Sequence, residues 1–230
     1  TNEAALRAEH ADRTDNPHNV TAAQIGALTA EQDLAALRTY HYGSPDIVES
    51  PAEWFVFDGA GTITAFNWEA GRTNVVIPWA IGGVPVTAIG ENAFRESGIV
   101  SLIAPQTVTM IGHGAFYSWT SLTSVSLPQV TAIGDSAFGD CTALTSVSLP
   151  QATSIGDYAF YSCTKLTSVS LPQVTAIGNS AFDSCGLLTS ISLPQAQTVG
   201  GYAFAGCTEM TTVRMGRNAP AEAEYVFAGI

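Results

Sequence analysis

Apolar and polar positions recur along this chain with a step of 22 residues: Phe94, Phe116, Phe138, Phe160, Phe182 and Phe204 are evenly spaced, and Cys141, Cys163, Cys185 and Cys207 keep the same interval. Ile89-Gly90, Ile111-Gly112, Ile133-Gly134, Ile155-Gly156 and Ile177-Gly178 follow it too, closed by Val199-Gly200. The unit is clearest in Leu122–Cys141, LTSVSLPQVTAIGDSAFGDC. Alternation points Val125 and Leu127 inward and Ser124 and Ser126 outward, which predicts a short strand. Pro128 has no amide to donate and ends the pairing. Val130 and Ile133 return to the core, and Gly134 is expected to supply a positive φ or a close approach. Asp135 is expected to cap a brief helical turn that carries Ala137 and Phe138 inward. A unit this small cannot bury its own apolar face, so a fixed period of this length predicts a solenoid of stacked rungs.

The pattern divides the chain into three parts. Residues 1–45 lack the period. Thr21 with Gln24 and Thr29 with Gln32 each fit a capping box, and the second predicts a helix from about Ala30 to Arg38. Asp15-Asn16-Pro17-His18-Asn19 reads as a turn or linker. This part is expected to be a linker, docking or oligomerisation segment. Residues 46–90 hold WFVFDGAGTITAF (Trp54–Phe66), whose alternation on both sides of Asp58–Gly61 predicts a β-hairpin. They are expected to cap the first rung, which would otherwise expose apolar surface and a strand edge. Residues 91–230 are the array. Two irregularities interrupt it: Phe94 to Pro105 is one residue shorter than Phe116 to Pro128, and Phe227 falls 23 residues after Phe204. Ile230 lies midway through a further unit, which predicts a continuation or a partner over the last rung.

Composition narrows the function classes. The apolar fraction is 46% with 12% charged residues, as expected of an ordered chain rather than a solvated tail. With 20 acids against 8 bases the net charge is −12, and Lys165 is the one basic residue between 101 and 200. Nucleic-acid binding rests on clustered Lys and Arg and is therefore not expected. No apolar run reaches the length of a membrane span. The chain opens on Thr1, as expected of a processed chain or an excerpt, and targeting cannot be read from it. The cysteines share one register, so they are expected as small buried side chains in a ladder, although rungs about 4.8 Å apart leave oxidation open. A straight ladder does not converge on a tetrahedral zinc site.

Catalytic groupings are not legible. Asp135, Asp157 and Asn179 share one register, and Asp140, Ser162 and Ser184 share another. Such stacking puts like groups above one another rather than across a cleft, which is the arrangement of caps and solvated turns. His113 has no triad readable around it, and there is no phosphate loop or calcium loop. No catalytic, cofactor-binding or metal residue is assigned. Candidate contact residues are the outward strand hydroxyls, Ser124, Ser126, Ser146, Ser148, Ser168, Ser170, Ser190 and Ser192, with Thr212 and Arg214 in the last rung. Together they offer short donors and acceptors for a glycan or protein, or simply a soluble strand face. Tyr117 and Tyr161 follow the core phenylalanines. They are expected near the turns, as partly buried packing or as stacking planes.

The consensus L-x-x-V-x-L-P-x-V-x-x-I-G-x-x-A-F-x-x-C resembles the BspA-type leucine-rich repeat, and Thr73–Phe94 is similar to the usual opening of such arrays. The resemblance covers about 46–230. It departs at Ser97 and Trp119 in the Cys register and at Met210 and Met215 in Leu positions. It implies a leucine-rich repeat solenoid: a curved, right-handed, mainly β array of short parallel strands with brief helical turns, strands on the concave side. It further implies a surface, adhesive or binding module with no family-wide catalytic residues. Arg7–Leu28 resembles a segment between modules of phage tail fibres. That resemblance implies a virion or phage-derived particle and a homotrimer built through the N-terminal segment, with His10 and His18 lining the axis and binding metal or, as the preferred reading, simply surface or turn histidines. The expected function is non-enzymatic recognition of a host surface glycan or protein, on a virion tail or a bacterial surface. The alternative is a structural spacer without a ligand of its own.

Overall fold

In a computed structural model of the chain, the described residues are Thr39, His41, 48–69 and 71–217. The helix expected from Ala30, the linker around Pro17, His10 and His18, and Phe227 lie outside them. The molecule is a β-solenoid. Its strands begin with the hairpin β1 (Phe55–Phe57) and β2 (Thr62–Phe66), then β3 (Asn74–Val76), β4 (Ala80–Ile81), β5 (Val84–Pro85) and β6 (Ala88–Ile89). The rungs add β7 (Ser101–Ile103), β8 (Met110–Ile111), β9 (Ser124–Ser126), β10 (Ala132–Ile133), β11 (Ser146–Ser148) and β12 (Ser154–Ile155). Last come β13 (Ser168–Ser170), β14 (Ala176–Ile177), β15 (Ser190–Leu193), β16 (Thr198–Val199) and β17 (Thr212–Met215).

Each rung has three segments. The return strands form one sheet in the order β1-β2-β6-β8-β10-β12-β14-β16, parallel from β2 onward. The expected hairpin is present, with Phe55 opposite Phe66, and its second strand starts this ladder by pairing Ile63 with Ile89. The Ser-bearing strands form a second wall in pieces: β3 with β7, then β9-β11-β13, then β15 with β17. The breaks have a sequence cause at one place. From Ser101 in β7 to Ser124 in β9 is 23 residues, whereas β8 to β10 is 22, so the one-residue irregularity is confined to this wall and interrupts its ladder.

The third segment was expected to be a brief helical turn. It is instead a run of tight turns, and helix among the described residues is confined to Thr39, His41 and the 3₁₀ turn Ala52–Trp54. Alternate amides explain why. The N–H groups of Ala137, Gly139 and Cys141 donate back to Gly134, Ser136 and Phe138, closing local turns, while those of Ser136, Phe138 and Asp140 donate to Asp157, Ala159 and Tyr161 of the next rung, each at 2.8 Å. An α-helix would turn every amide after its first four onto its own carbonyls and leave that part of the rung interface unpaired. The alternation requires a left-handed backbone at two positions per rung, as at Ser136 (φ 53°) and Asp140 (φ 57°). Asp135 does not cap its own segment: its carboxylate accepts the Asp157 N–H of the next rung at 2.9 Å. Gly134 serves close approach rather than positive φ, because a Cβ there would lie 2.7 Å from the Gly112 carbonyl carbon.

The core is one continuous apolar cluster with a phenylalanine column running through it. Phe94, Phe116, Phe138, Phe160, Phe182 and Phe204 are fully buried, with successive ring centroids 5.6, 5.0, 5.2, 5.1 and 5.5 Å apart. Phe66 of the hairpin extends it, stacked on Phe94 at 5.0 Å. Burying a side chain of this size contributes about 1.5–3 kcal/mol, so the column, with the Leu, Val and Ile positions buried beside it, holds together rungs that have little core singly.

Candidate functional site

The Ser wall is built by the alternation of its strands. Val125 and Val147 point into the core, and the serines flanking them point out. Parallel pairing in register sets Ser124, Ser146 and Ser168 in one row and Ser126, Ser148 and Ser170 in another. These six residues, with Val125, Val147 and Val169, line a shallow open depression of about 440 Å³. The threonines at the start of each strand do different work. Thr145 and Thr167 donate their hydroxyls to the Thr123 and Thr145 carbonyls one rung back, at 2.9 and 3.1 Å, and Thr211 does the same to Thr189. They hold rungs together, while the outward serine hydroxyls take no part in such bonds among the described residues. No strand of this wall from β9 to β15 carries a charged residue.

The row does not run unbroken. Ser190, Ser192, Thr212 and Arg214 are exposed on the separate pair β15–β17, where Ser192 lies opposite Arg214. They stand outside the depression. At the other end His41 is buried, stacked on Trp79 at 4.4 Å, and its carbonyl accepts the Gln106 N–H at 2.8 Å. A smaller recess of about 250 Å³, between His41, Gln106, Ser126 and Pro128, adjoins the first Ser rung there.

The tyrosines lie on the turn segments, as their spacing predicts, but not equivalently. Tyr117 is engaged: its hydroxyl donates to the Asp140 carboxylate and the Arg95 guanidinium lies 4.8 Å from its ring centroid. Donation to Asp140, followed by burial, raises its pKa above the ordinary phenol value. Tyr161 is 37% exposed, edge-on to Tyr158 at 6.0 Å. Tyr158 and Tyr202 are 47% and 48% exposed.

The thiols are free and buried, each donating to the Phe carbonyl 25 residues back: Cys141 to Phe116, Cys163 to Phe138, Cys185 to Phe160 and Cys207 to Phe182, at 3.1–3.3 Å. Trp119, in the same register, sends its indole N–H to the corresponding carbonyl, Phe94. That shared acceptor is invisible in the period, although Trp and Cys are both donors and could have hinted at it. Burial pushes the Cys163 thiol well up and Cys207 to about 12, so neither is a thiolate nucleophile at neutral pH. His113 is exposed, and among the described residues no cluster of His, Cys, Asp or Glu could hold a metal. No helix among them is long and apolar enough to cross a membrane.

Comparison with known proteins gives the family signal. The "BspA type leucine rich repeat region" matches in six copies over residues 87–211 and 175–230. No curated protein matches the chain. Among solved structures, a leucine-rich repeat protein of T. pallidum is similar at 27% identity and TM-score 0.54, over 76% of this chain and 85% of that one. A leucine-rich cell surface protein of Faecalibacterium prausnitzii is 31% identical at TM-score 0.53, over 73% and 54%. A leucine-rich repeat protein of Bacteroides ovatus is 25% identical at TM-score 0.55, over 64% and 44%. The chain thus spans about half the length of the last two.

Proposed function

The chain belongs to the BspA-type leucine-rich repeat family, and on that premise we propose that it is a non-enzymatic binding or adhesion module whose Ser wall meets a host-surface glycan or protein. The observation that carries this is the depression over β9, β11 and β13: two rows of hydroxyls without internal partners, on three strands without charge. Short hydroxyls at fixed spacing are donors and acceptors suited to a polyhydroxylated or polar ligand. Arg214 and Thr212 make the β15–β17 end chemically distinct and would set polarity along the wall. Residues 46–90 act as the cap and residues 1–45 join the module to a larger assembly. In this reading that assembly is a homotrimeric phage fibre, as the resemblance of Arg7–Leu28 suggests, or a bacterial surface protein. The extracellular setting is consistent with the cell surface protein among the similar structures.

Binding of the intact protein to a glycan array and to candidate host cells tests this, with the double variant Ser148→Val/Ser168→Val as comparison. Val suits a strand and is neutral, so the fold should persist while hydroxyls are lost. The variant is expected to bind at least tenfold more weakly. Equal binding by the variant, or no binding by the wild type to any array or host, would overturn the assignment. A spacer role has one observation in its favour, the identity of Leu122–Gly134 with Leu166–Gly178, which suits a rod whose rung number can vary.

A further inference from the structure

The turn segments form a second surface that the Ser wall does not need. The segments 112–119, 134–141, 156–163, 178–185 and 200–207 carry Asp135, Asp140, Asp157 and Asp183 and neither Lys nor Arg. The Ser wall from β9 to β15 is uncharged, so acidity in the middle rungs is confined to one side of the solenoid. Exposed tyrosines lie on the same side. Tyr158 and Tyr202 occupy left-handed backbone (φ 56° and 58°) at the register where a sister rung has Gly114. A bulky residue there costs stability, and with nearly half its surface exposed it recovers little by burial.

The fold also contains a worked example of what such a ring accepts. At Tyr117, the chain's own Arg95, one rung back in the same register, lies over the ring. Tyr161 holds that register two rungs further on. Its counterpart of Arg95 is Gly139, which has no side chain and against which the Tyr117 ring packs, and the next rung supplies Asp183. Asp183 accepts the Ser184 hydroxyl through one oxygen, Oδ1, and its backbone carbonyl accepts the Ser162 N–H, which fixes the two rungs against each other. We propose that Tyr161, with Tyr158 at its edge and Asp183 one rung on, is a docking site for an arginine side chain of a basic partner protein segment, which meets the exposed part of the Tyr161 ring by the same cation–ring contact that Arg95 makes to Tyr117. A ring face and a nearby carboxylate together favour guanidinium. Charge complementarity to the aspartate-bearing turn wall directs the segment to this side.

The test is fluorescence anisotropy of the full chain at physiological salt with a fluorescein-labelled peptide of alternating Arg and Gly. The same peptide with citrulline for each Arg serves as the uncharged control. The Arg peptide is expected to bind and the citrulline peptide not to. Tyr161→Leu, which leaves the net charge unchanged, is expected to weaken binding about fivefold. Tyr161→Phe should restore it, and Ser148→Val/Ser168→Val should leave it unaltered, which separates this site from the Ser wall. Equal binding by wild type and Tyr161→Leu would mean generic attraction to an acidic protein and would overturn the site. So would equal binding of the citrulline peptide, or no binding of the Arg peptide.

Discussion

Cys207 donates its thiol to the Phe182 carbonyl at 3.2 Å, and burial raises its pKa from an ordinary 9.0 to about 12. A raised acid pKa means the folded state favours the protonated thiol. Its contribution to stability is therefore complete below the unfolded value and lost as pH rises from there toward about 12. Urea midpoints measured at neutral pH and at about pH 10.5 should fall more steeply for the wild type than for Cys207→Ser, which keeps a donor that does not ionise in this range. Parallel slopes would show that the thiol does not titrate differently on folding. Trp119 makes the same point without titration: where the register lacks a thiol, an indole N–H satisfies the buried carbonyl. The period located these donors. Their acceptor, 25 residues back rather than 22, became visible only when the rungs were packed.

At the scale of the rung, two glycines separate spacing from flexibility. A Cβ on Gly156 would lie 2.5 Å from the Asp135 carboxylate and 2.7 Å from backbone atoms of the rung before, whereas on Gly186 the nearest atom would be Thr208 Oγ1 at 3.7 Å. Gly156→Ala must push rungs apart and strain the Ile133–Ile155 pairing, at a cost of roughly 1–3 kcal/mol typical of overpacking. Gly186→Ala should be neutral or stabilise by about 0.4–1 kcal/mol, through the unfolded chain. Chemical denaturation of both variants checks this, and similar losses in the two would contradict it. The strand segments were legible because alternation reports burial directly. The turn segments were misread as helical because Asp-Ser-Ala-Phe is compatible with a helix start. What rules the helix out is the next rung's demand for the Ser136, Phe138 and Asp140 amides.

Across the whole molecule, each rung contacts its neighbours through the same registers, so length should be adjustable. Removing residues 145–166, one period, joins Leu144 to Thr167 and brings Thr167 to the place of Thr145 on Thr123. The shortened protein should fold with an unchanged circular dichroism spectrum and a lower melting temperature, having lost one interface. Small-angle scattering should show a rod shorter by about 4.8 Å. Loss of cooperative folding would mean that the rungs are not interchangeable. The same deletion removes Ser146, Ser148 and Tyr161, and should therefore weaken both proposed binding surfaces, whereas a pure spacer would change only in reach.

The sequence by itself determined the rung, its stacking and the composition of each wall. With a fixed period, a residue's neighbour in the next rung is its own register mate, so the phenylalanine column, the buried thiols and the rows of serines could be written down in advance. The tertiary structure alone decided everything that passes between different registers. Examples are the thiol and indole donors on phenylalanine carbonyls and Asp140 at the Tyr117 hydroxyl; within a register it also decided which side chains bridge, as the Asp135 carboxylate on the following rung and Arg95 over Tyr117, and where the pairing breaks, between β13 and β15. The physical reason is that a period fixes which rungs touch, while the lean of each side chain is settled by the lateral offset and backbone twist of two rungs in contact, which no single repeat encodes.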